Sequence, residues 1–492
     1  MNKLIINHDY TQLQTEDENL NNFLYSQLRF QEKGAYFHPL FKKGLWDGYR
    51  EFYNRKTGRF LTGLLPEVRF VLKAKQIKCD VIDNRTPFQF GINKIDDSFL
   101  NNNKPKKIEN QQITLHDYQV DLVNRALKLK RGIIKAPTSA GKSFVFVSLF
   151  RCLKPGGKYL FVTKGSSLAQ QNYQELCDWG VPGVGRFFGS QSTRKIDRIT
   201  CINTNAQNAQ KIKKLFPTID GIIVDEIHAC MSNSAVNIYK ACKNASLRIA
   251  ISATPFRFTK KNRKGQEVCA DKVQKYKTKG FFGPVIKTGT TKSGYLETKD
   301  LQKRGILAPS ECTFFRVKKP DDIVYLPYAD AVTLGISENE YLQKTVRDLS
   351  LSLSGRTLIL VERISQGERL NSLIPGSVFV QGKNEIQTRL AAFQELKYSS
   401  DNFIAVVMRH IISEGINVFV HNLINASGGK AEHNIVQQLG RGLRSAEDKT
   451  HLNFYDFLFE TNDYLLDHSK NRIEVLTNEG HKVRISPPFK KP

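Results

Sequence analysis

Short apolar runs alternate with longer amphipathic stretches along most of the chain. From about residue 113 the apolar runs are RGIIKAP, KYLFVTK, ITCIN, GIIVDE and LRIAISA, and from about residue 355 a second series reads RTLILVE, SVFVQG, NFIAVVM, NLINAS and LNFYDF. Runs that are apolar at consecutive positions are typical of parallel strands whose two faces are both covered by helices. The pattern therefore predicts an α/β protein with two doubly wound parallel-sheet domains in tandem.

The first hundred residues have a different pattern. The stretch GAYFHPLFKKGLWDGYREFYNRKTGRFLTGLL is rich in aromatic residues and glycine, and its short alternating pieces predict hairpins in a small α+β domain. The polar segment NNNKPKKIENQQ at 101–112 favours a linker. We predict an N-terminal α+β accessory domain at 1–108, two α/β domains at 109–304 and 305–468, and a C-terminal tail at 469–492.

Composition indicates a class of partner only through the charge. The 492 residues include 74 Lys and Arg against 47 Asp and Glu, for a net charge of +27. Such an excess attracts polyanions, and nucleic acid is the commonest of these. Residues 257–279 are strongly basic, and we interpret them as an exposed insertion in which Lys260 and Lys261 are candidate DNA contacts. A solvated loop without a partner is the equal alternative.

The cysteine spacing and the lack of long apolar runs bear on the compartment. The eight cysteines show no C-x-x-C pair, which favours buried free thiols over a zinc site or a disulfide framework. The N-terminal residues MNKLIINHDY lack the apolar core of a signal peptide, and no run approaches the length that spans a bilayer. We expect a soluble intracellular protein that makes no use of a membrane.

A phosphate-binding loop is predicted at APTSAGKS, residues 136–143. The pattern G-x-x-x-x-G-K-[ST] is met by Gly141, Lys142 and Ser143, although Ala136 replaces the first glycine. An apolar strand precedes the loop and FVFVSLFRCL follows it as a helix, which is the required context. Lys142 would neutralise phosphate charge and Ser143 would ligate Mg²⁺. Ala136 at the strand exit is tolerable if its φ is negative.

Two carboxylates follow the apolar strand in GIIVDEIH. Asp225 is placed to hold Mg²⁺, and Glu226 to orient and deprotonate an attacking water for phosphoryl transfer. His228 is positioned to link this site to ISATP, with a purely structural histidine as the alternative. In the second domain, Arg441 and Arg444 of QQLGRGLRS share one face at a spacing of three, so they are candidates for arginine fingers.

The order of these motifs resembles superfamily 2 DExH helicases and translocases over residues 113–460. Besides the phosphate loop, the matching segments are LHDYQ, FVTKGSSLAQQ, ITCINTNAQ, VDEIH, ISATPFR, LILVERISQGERL, VFVQGKNE, ISEGINV and QQLGRGLR. The resemblance implies that both α/β domains are RecA-like, that ATP and Mg²⁺ bind between them, and that nucleic acid is the partner.

The resemblance also implies roles for individual residues. The nucleotide-binding positions are Gln119, which would recognise the purine, Thr138, Ser139, Ala140, Gly141, Lys142, Ser143 and Gly415. The positions that would couple the ATP and DNA sites are His228, Ser252, Thr254 and Gln437. The positions that would contact DNA are Thr163, Lys164, Thr204, Gln366 and Ser413.

The N-terminal segment resembles that of UvsW-type phage helicases, which remodel branched DNA. Its pattern consists of Gly34, Phe37, Pro39, Phe41, Gly44, Trp46, Asp47 and Gly48. We interpret these eight residues as structural first, since small and aromatic residues also build a compact β domain. The DNA-contact candidates around them are Lys42, Lys43, Arg50 and Arg55.

The resemblance implies an ATP-dependent DNA helicase for phage replication, recombination and repair, acting as a monomer in the cytoplasm of the host bacterium. Three alternatives stay open from the sequence. A DExH core does not distinguish DNA from RNA, so an RNA helicase is one. The translocase subunit of a restriction enzyme and an ATP-switched binding clamp are the others.

Overall fold

The computed structural model describes residues 2–102, 104–188, 198–204, 213–256, 259–261, 267–269, 271–384, 386–399, 402–413, 420–429 and 451–489. These residues divide into two compact units. The first comprises residues 1–136 and 141–296, and the second comprises residues 137–140 and 297–492. The predicted boundary at 304 lies within the second unit, after its first helix.

The N-terminal region forms a five-stranded mixed sheet and a separate two-stranded ribbon. Its strands are β1 (Lys3–Ile6), β2 (Tyr10–Gln14), β3 (Arg29–Gln31), β4 (Tyr49–Glu51), β5 (Tyr53–Asn54), β6 (Arg59–Leu61) and β7 (Asp80–Asp83). Its helices are α1 (Glu18–Gln27), α2 (Pro39–Lys42) and α3 (Leu65–Ala74). The sheet order is β5-β6-β2-β1-β7, with β3 paired to β4 apart from it. Alternate residues of β1 and β2 and the apolar faces of α1 and α3 form its core.

The rest of the first unit contains a seven-stranded parallel sheet. Its strands are β8 (Arg131–Lys135), β9 (Tyr159–Thr163), β10 (Val184–Phe187), β11 (Ile199–Asn203), β12 (Gly221–Asp225), β13 (Leu247–Ser252) and β16 (Val285–Ile286), and β14 (Thr259–Lys261) pairs with β15 (Glu267–Cys269) as a hairpin. The helices are α4 (Asp117–Leu129), α5 (Lys142–Arg151), α6 (Ser166–Asp178), α7 (Asn233–Ala241) and α8 (Lys272–Phe282). The order β10-β11-β9-β12-β13-β8-β16 places β8 and β12 on either side of β13.

The second unit contains another seven-stranded parallel sheet, in the order β19-β20-β18-β21-β22-β17-β23. Its strands are β17 (Ser310–Val317), β18 (Thr357–Val361), β19 (Val378–Val380), β20 (Ile404–Met408), β21 (Asn422–Asn425), β22 (Leu452–Phe459) and β23 (Lys482–Ser486). Its helices are α9 (Thr298–Lys303), α10 (Tyr328–Val332), α11 (Glu340–Ser352), α12 (Ile364–Leu373), α13 (Ile386–Tyr398), α14 (Arg409–Ser413) and α15 (Asp463–Asn478). The predicted fold class, two tandem RecA-like domains with a small N-terminal α+β domain, is confirmed.

The N-terminal domain packs directly on the first RecA-like domain through α8. Lys279 Nζ lies 2.6 Å from Glu67 Oε1, and the rings of Phe30 and Tyr276 are 4.4 Å apart. The two backbones approach so closely at Gly63 that an added Cβ would lie 2.0 Å from the Lys279 carbonyl oxygen. A glycine is therefore required at this contact.

The expectation for residues 257–279 is wrong at their C-terminal end, and the expectation of a tail at 469–492 is wrong. The sequence predicts an exposed insertion at 257–279, but residues 272–279 belong to α8, where Gln274 and Thr278 are buried. The predicted tail at 469–492 instead completes α15 and adds β23 beside β17. Both segments are largely polar, as surface helices and edge strands are. Composition alone does not distinguish such elements from a loop.

The expectation of free thiols is confirmed. None of the eight cysteines forms a disulfide among the residues that the structure describes, and six of the eight are buried. In the described ranges, no helix combines the length and the apolar character that a membrane crossing needs.

Candidate functional site

Ala136 ends the strand before the phosphate loop and does not obstruct the loop. Its backbone N–H donates to the Ser252 carbonyl oxygen at 3.2 Å, which extends the pairing of β8 with β13 by one residue. Ala136 is not among the non-glycine residues with positive φ, and its side chain is buried. Ala136 therefore has the negative φ that an alanine requires at this position.

Gly141 is a position where only glycine fits. Its φ is 72°, in the left-handed region, and it precedes the first residue of α5. An added Cβ would lie 2.3 Å from Gln119 Nε2. Gln119 is itself buried, and its Oε1 accepts from the His116 backbone N–H at 2.9 Å. The predicted purine reader thus contacts the phosphate loop and helps to begin α4, so its amide already has a structural role.

Lys142 and Glu226 join the phosphate loop to the acidic strand end. Lys142 Nζ lies 2.6 Å from Glu226 Oε1, and the two side chains are 14% and 17% exposed. Ser252 Oγ donates to Glu226 Oε2 at 3.0 Å and lies 2.9 Å from His228 Nδ1. Burial opposes ionisation of Glu226, but Lys142 and His228 outweigh it and hold the pKa of this carboxyl well below its usual range.

The backbone at Glu226 is unusual. Its φ of 49° and ψ of 56° lie in the left-handed region, which is uncommon for a residue with a Cβ. Ser139 in the phosphate loop has a φ of 66°. Strained backbone of this kind is often found at functional sites, where the surrounding structure maintains it. Both sites belong to motifs predicted to act on the nucleotide.

Asp225 is more deeply buried than Glu226. Asn172 Nδ2 donates to Asp225 Oδ2 at 3.2 Å, and the Glu226 backbone N–H donates to Asp225 Oδ1 at 3.0 Å. Burial, together with the adjacent Glu226 charge, raises the pKa of Asp225 to about 6. A divalent cation beside this carboxyl would favour its ionised form, as a Mg²⁺ ligand requires.

The residues fit a nucleotide with Mg²⁺. Thr138 Oγ1 is buried and has no hydrogen-bond partner in the part of the chain that the structure describes, which leaves a donor for a ligand oxygen. Lys142 supplies a cation, and Gly141 allows close backbone approach. Mg²⁺ is usually held by one or two protein oxygens together with phosphates, and Ser143 and Asp225 provide two such oxygens.

Coupling residues are also brought together in the first RecA-like domain. The Thr254 backbone N–H donates to Ser252 Oγ at 3.2 Å, so Ser252 contacts both the acidic strand end and the loop after β13. His228 is nearly buried beside Ser252 and Glu226. The predicted link of His228 to the ISATP segment is present in the structure.

Several predicted site residues lie outside the described residues. They are Gly415, Gln437, Arg441 and Arg444. For Ser413, Lys260 and Lys261 the structure describes only the backbone, at the end of α14 and in β14 respectively. Their predicted roles stay predictions.

Among the predicted DNA contacts in the first RecA-like domain, only Lys164 presents an exposed side chain in the part that the structure describes. Thr163 is buried, and its Oγ1 donates to the Gly165 carbonyl oxygen at 3.3 Å. Thr204 Oγ1 donates to the Lys164 carbonyl oxygen at 3.0 Å. The Thr204 hydroxyl therefore joins the end of β11 to the segment after β9, whereas the Thr163 hydroxyl bonds within its own segment. A direct contact of Thr163 with DNA is not supported.

The side chain of Gln366 is not positioned to contact DNA. Its side chain is buried, with Nε2 donating to the Ala426 carbonyl oxygen at 2.8 Å and Oε1 accepting from the Glu362 backbone N–H at 3.2 Å. Its polar atoms hold α12 against the end of β21. The prediction of a DNA contact is wrong for this side chain, because a motif match does not tell which residue of a helix faces inward.

The four DNA-contact candidates of the N-terminal domain differ in the partners that their side chains have. Lys42 and Lys43 are exposed. Arg50 forms an ion pair with Glu32 and lies 4.7 Å from the centre of the Trp46 ring, while Arg55 donates to Asn22 Oδ1 at 3.2 Å. The two lysines are therefore the more available cations.

Two groups of residues were missed by the sequence reasoning. Asn172 holds Asp225, and no motif marks it because α6 contains several similar amides. Tyr36, Phe37, Leu40 and Leu45 are 46–73% exposed, and of these four only Phe37 belongs to the pattern that was interpreted as structural. The lack of acidic residues around them was the signal available in the sequence.

Three of the predicted site segments follow the adjacent strands β8, β13 and β12 of a parallel sheet, and this arrangement resembles that of superfamily 2 helicases. Residues 112–257 match the family described as type III restriction enzyme, res subunit.

Similarity to a UvsW helicase extends over nearly the whole chain. The chain is 23% identical to the ATP-dependent DNA helicase UvsW of enterobacteria phage T4, over 96% of each protein. It is 25% identical to the DNA 3′-5′ translocase XPB2 of Sulfurisphaera tokodaii, over 70% of this chain and 81% of that protein. A fragment of a putative HsdR subunit of a type I restriction enzyme from Vibrio vulnificus shares the fold, with a TM-score of 0.53 and 18% identity over 75% of this chain and 67% of that chain.

Proposed function

We propose that this protein is an ATP-dependent DNA helicase or translocase that remodels branched DNA, including forks, Holliday junctions, R-loops and D-loops. The observation that carries the ATPase part is the contact chain from Lys142 through Glu226 and Ser252 to His228 at adjacent strand ends. We assign it to phage DNA replication, recombination and repair, as a monomer in the cytoplasm of the host bacterium.

Each residue of the site has a chemical task in ATP hydrolysis. Lys142 neutralises the phosphates, Ser143 and Asp225 hold Mg²⁺, and Glu226 orients the attacking water and accepts its proton. When bound, Mg²⁺ neutralises phosphate charge. A phosphate oxygen competes with Glu226 Oε1 for the Lys142 ammonium, so nucleotide binding weakens this ion pair. The pKa of Glu226 then rises, which makes the carboxylate a better base when substrate is present.

Coupling to DNA is assigned to the loop after β13 and to the second RecA-like domain. Ser252 contacts Glu226 through its hydroxyl and Thr254 through the Thr254 backbone N–H, so a change at Glu226 reaches the loop directly. We assign Arg441 and Arg444 to stabilisation of the transferring phosphoryl group from the second domain, Gln437 to coupling, and Gly415 to nucleotide contact. Opening and closing of the two domains would then be converted into steps along one strand.

The choice of branched DNA is supported by the extent of the UvsW similarity, which includes the N-terminal domain. A restriction-type translocase is the second candidate because residues 112–257 match a restriction-subunit family. That match covers only the ATP-binding core, which many helicases share. The N-terminal domain lies outside it, so the match does not bear on the substrate.

A substrate panel tests the proposal. ATPase stimulation and strand displacement are measured with forks, four-way junctions, R-loops, D-loops, tailed duplexes, linear duplex and RNA duplex. Glu226→Gln serves as the control for contaminating activity, because it keeps the size of the side chain and removes the base. We expect the greatest stimulation and remodelling with branched DNA. Preference for RNA would contradict the proposal, and tracking on linear duplex without remodelling would favour the restriction-type translocase.

A further inference from the structure

The segment between β3 and β4 displays an apolar tip. We use the name apolar tip for Tyr36, Phe37, Leu40 and Leu45, which are 60%, 69%, 46% and 73% exposed. The rings of Tyr36 and Phe37 are 4.2 Å apart at their centres. Large apolar side chains clustered in this way on a surface commonly mark a binding site, because water contact disfavours their exposure.

The segment that carries the apolar tip is well supported by internal contacts. The Glu32 backbone N–H donates to the Gly48 carbonyl oxygen at 2.7 Å and closes the segment at its base. Trp46 Nε1 donates to the Tyr49 carbonyl oxygen at 2.8 Å, and Arg29 forms an ion pair with Asp47.

Gly48 shows how tightly the segment folds on itself. With φ of 82°, an added Cβ would lie 3.0 Å from both Ala35 Cβ and Phe41 Cε2. Ala35 is buried, so Ala35, Phe41 and Gly48 form a small inner cluster. The apolar tip therefore projects from a preorganised support, and its exposure is not the result of an unfolded loop.

The charges around the apolar tip favour an anionic partner. Residues 33–46 contain Lys33, Lys42 and Lys43 and no Asp or Glu. The acidic residues that flank this stretch, Glu32 and Asp47, are engaged by Arg50 and Arg29. A partner must therefore offer negative charge beside a flat apolar surface. A nucleic acid strand with unstacked bases has both properties.

We propose that the apolar tip stacks on an unpaired base where a duplex meets single-stranded DNA, while Lys42 and Lys43 hold the neighbouring phosphates. Bases inside a duplex have no free face, so the aromatic rings select the junction and the lysines supply affinity without sequence preference. This inference rests on the proposed function and names the part of a branched substrate that the N-terminal domain recognises.

Fluorescence of 2-aminopurine at the first unpaired position of a synthetic fork tests the stacking. The full-length wild-type protein is expected to quench it, because stacking on a ring changes the environment of the base. Tyr36→Ala/Phe37→Ala should remove the protein-induced change and weaken fork binding by roughly 5- to 150-fold, which corresponds to one stacked base. Tyr36→Leu/Phe37→Leu keeps apolar bulk without the rings and should behave like the alanine pair.

Matched variants separate stacking from charge and from folding. Phe70, which is 74% exposed on α3 of the same domain, provides the control, and Phe70→Ala should bind forks like wild type. Lys42→Ala/Lys43→Ala should lower the slope of log K against log salt by about 1.8, at about 0.9 per phosphate contact, whereas the ring variants should leave the slope unchanged.

The outcomes also distinguish this inference from the proposed function. If wild type remodels forks and the ring variants quench and bind equally well, the stacking inference is overturned while the proposed function stands. The stacking inference is likewise overturned if the leucine pair behaves like wild type. If wild type shows no preference for any branched DNA, both fail.

Discussion

Each of the two RecA-like domains pairs a basic residue with an acidic residue beside its parallel sheet, but the surroundings of the two pairs differ. Lys142 and Glu226 are 14% and 17% exposed. Arg472 and Asp456 are 2% and 0% exposed, and Arg472 donates to both Asp456 oxygens at 2.8 and 2.9 Å. Asp456 also accepts from Asn425, and Arg472 also donates to the Gly429 carbonyl oxygen.

This difference indicates which pair serves a ligand and which serves the fold. Around Arg472 and Asp456 the hydrogen bonds are made within the protein, so the pair stabilises a fixed arrangement of β21, β22 and α15. Lys142 and Glu226 are partly open, and Thr138 Oγ1 nearby in sequence has no partner among the described residues. A charge pair that binds a ligand needs hydrogen-bonding capacity that the protein itself does not fill. A structural pair has its hydrogen bonds made within the protein.

The largest expected effect is at the closed pair, Arg472 and Asp456. Arg472→Met leaves the buried Asp456 charge uncompensated, so the free energy of unfolding should fall by about 3–5 kcal/mol. Adding Asp456→Leu should recover part of the loss, because no unpaired charge then remains. Urea denaturation of the two variants measures both values. The control is Arg369→Met, whose exposed pair with Glu340 should contribute little. If Arg472→Met lowered the free energy of unfolding only slightly, the pair would not have the structural role assigned to it.

A pH-dependent loss of stability is expected from the same domain. Burial lowers the pKa of His481 to about 4, and Ser310 Oγ lies 2.7 Å from its Nδ1. The unfolded chain takes up a proton below about pH 6.5 and the folded chain does not, so stability falls as pH drops from 6.5 to 4, by on the order of 3 kcal/mol.

The change His481→Gln should flatten that part of the pH profile. The measurement is the urea midpoint at pH 7 and pH 4.5 for wild type and variant. His410→Gln, at an exposed position of the same domain, is the matched control. If the urea midpoints of wild type and His481→Gln changed equally with pH, His481 would not be the source of the pH-dependent loss of stability.

A smaller effect is expected at Ser252, a positioning residue of the open pair formed by Lys142 and Glu226. Ser252→Ala removes the donor to Glu226 and the contact with Thr254, so kcat for ATP should fall by about tenfold to a hundredfold with little change in KM. Stimulation of the ATPase by DNA should fall as well, which a purely structural serine would not affect. Ser148→Ala provides the comparison, because the Ser148 hydroxyl is buried without a hydrogen-bond partner among the described residues.

The smallest effect concerns the contact between the N-terminal domain and α8. Glu67 and Lys279 are 21% and 18% exposed, so their coupling should be about 1 kcal/mol. A double-mutant cycle with Glu67→Ala and Lys279→Ala, followed by thermal unfolding, measures it. A coupling no larger than that of the exposed pair Arg369 and Glu340 would mean that this ion pair does not help to hold the domain.

The sequence pattern predicted the strands better than it predicted which side chains face a ligand or DNA. All ten apolar runs are strands, because a strand covered on both faces has few polar positions. The pattern missed four strands of the two parallel sheets, which are β10, β16, β17 and β23. Of these, β16 has only two residues, and the residues of β23 are largely exposed at the sheet edge. Motif spacing placed Lys142, Glu226 and Ser252 correctly at neighbouring strand ends. It failed for Gln366 and Thr163, because the direction of a side chain depends on packing that no short motif contains.

The central claim is that ATP turnover at the open pair drives remodelling of branched DNA. The most direct measurement compares wild type with Lys142→Ala for ATPase activity, fork binding and fork remodelling in one set of conditions. We predict that the variant loses about 10²- to 10³-fold in ATPase rate, loses remodelling and still binds the fork. Remodelling of forks by Lys142→Ala at the wild-type rate would contradict the account.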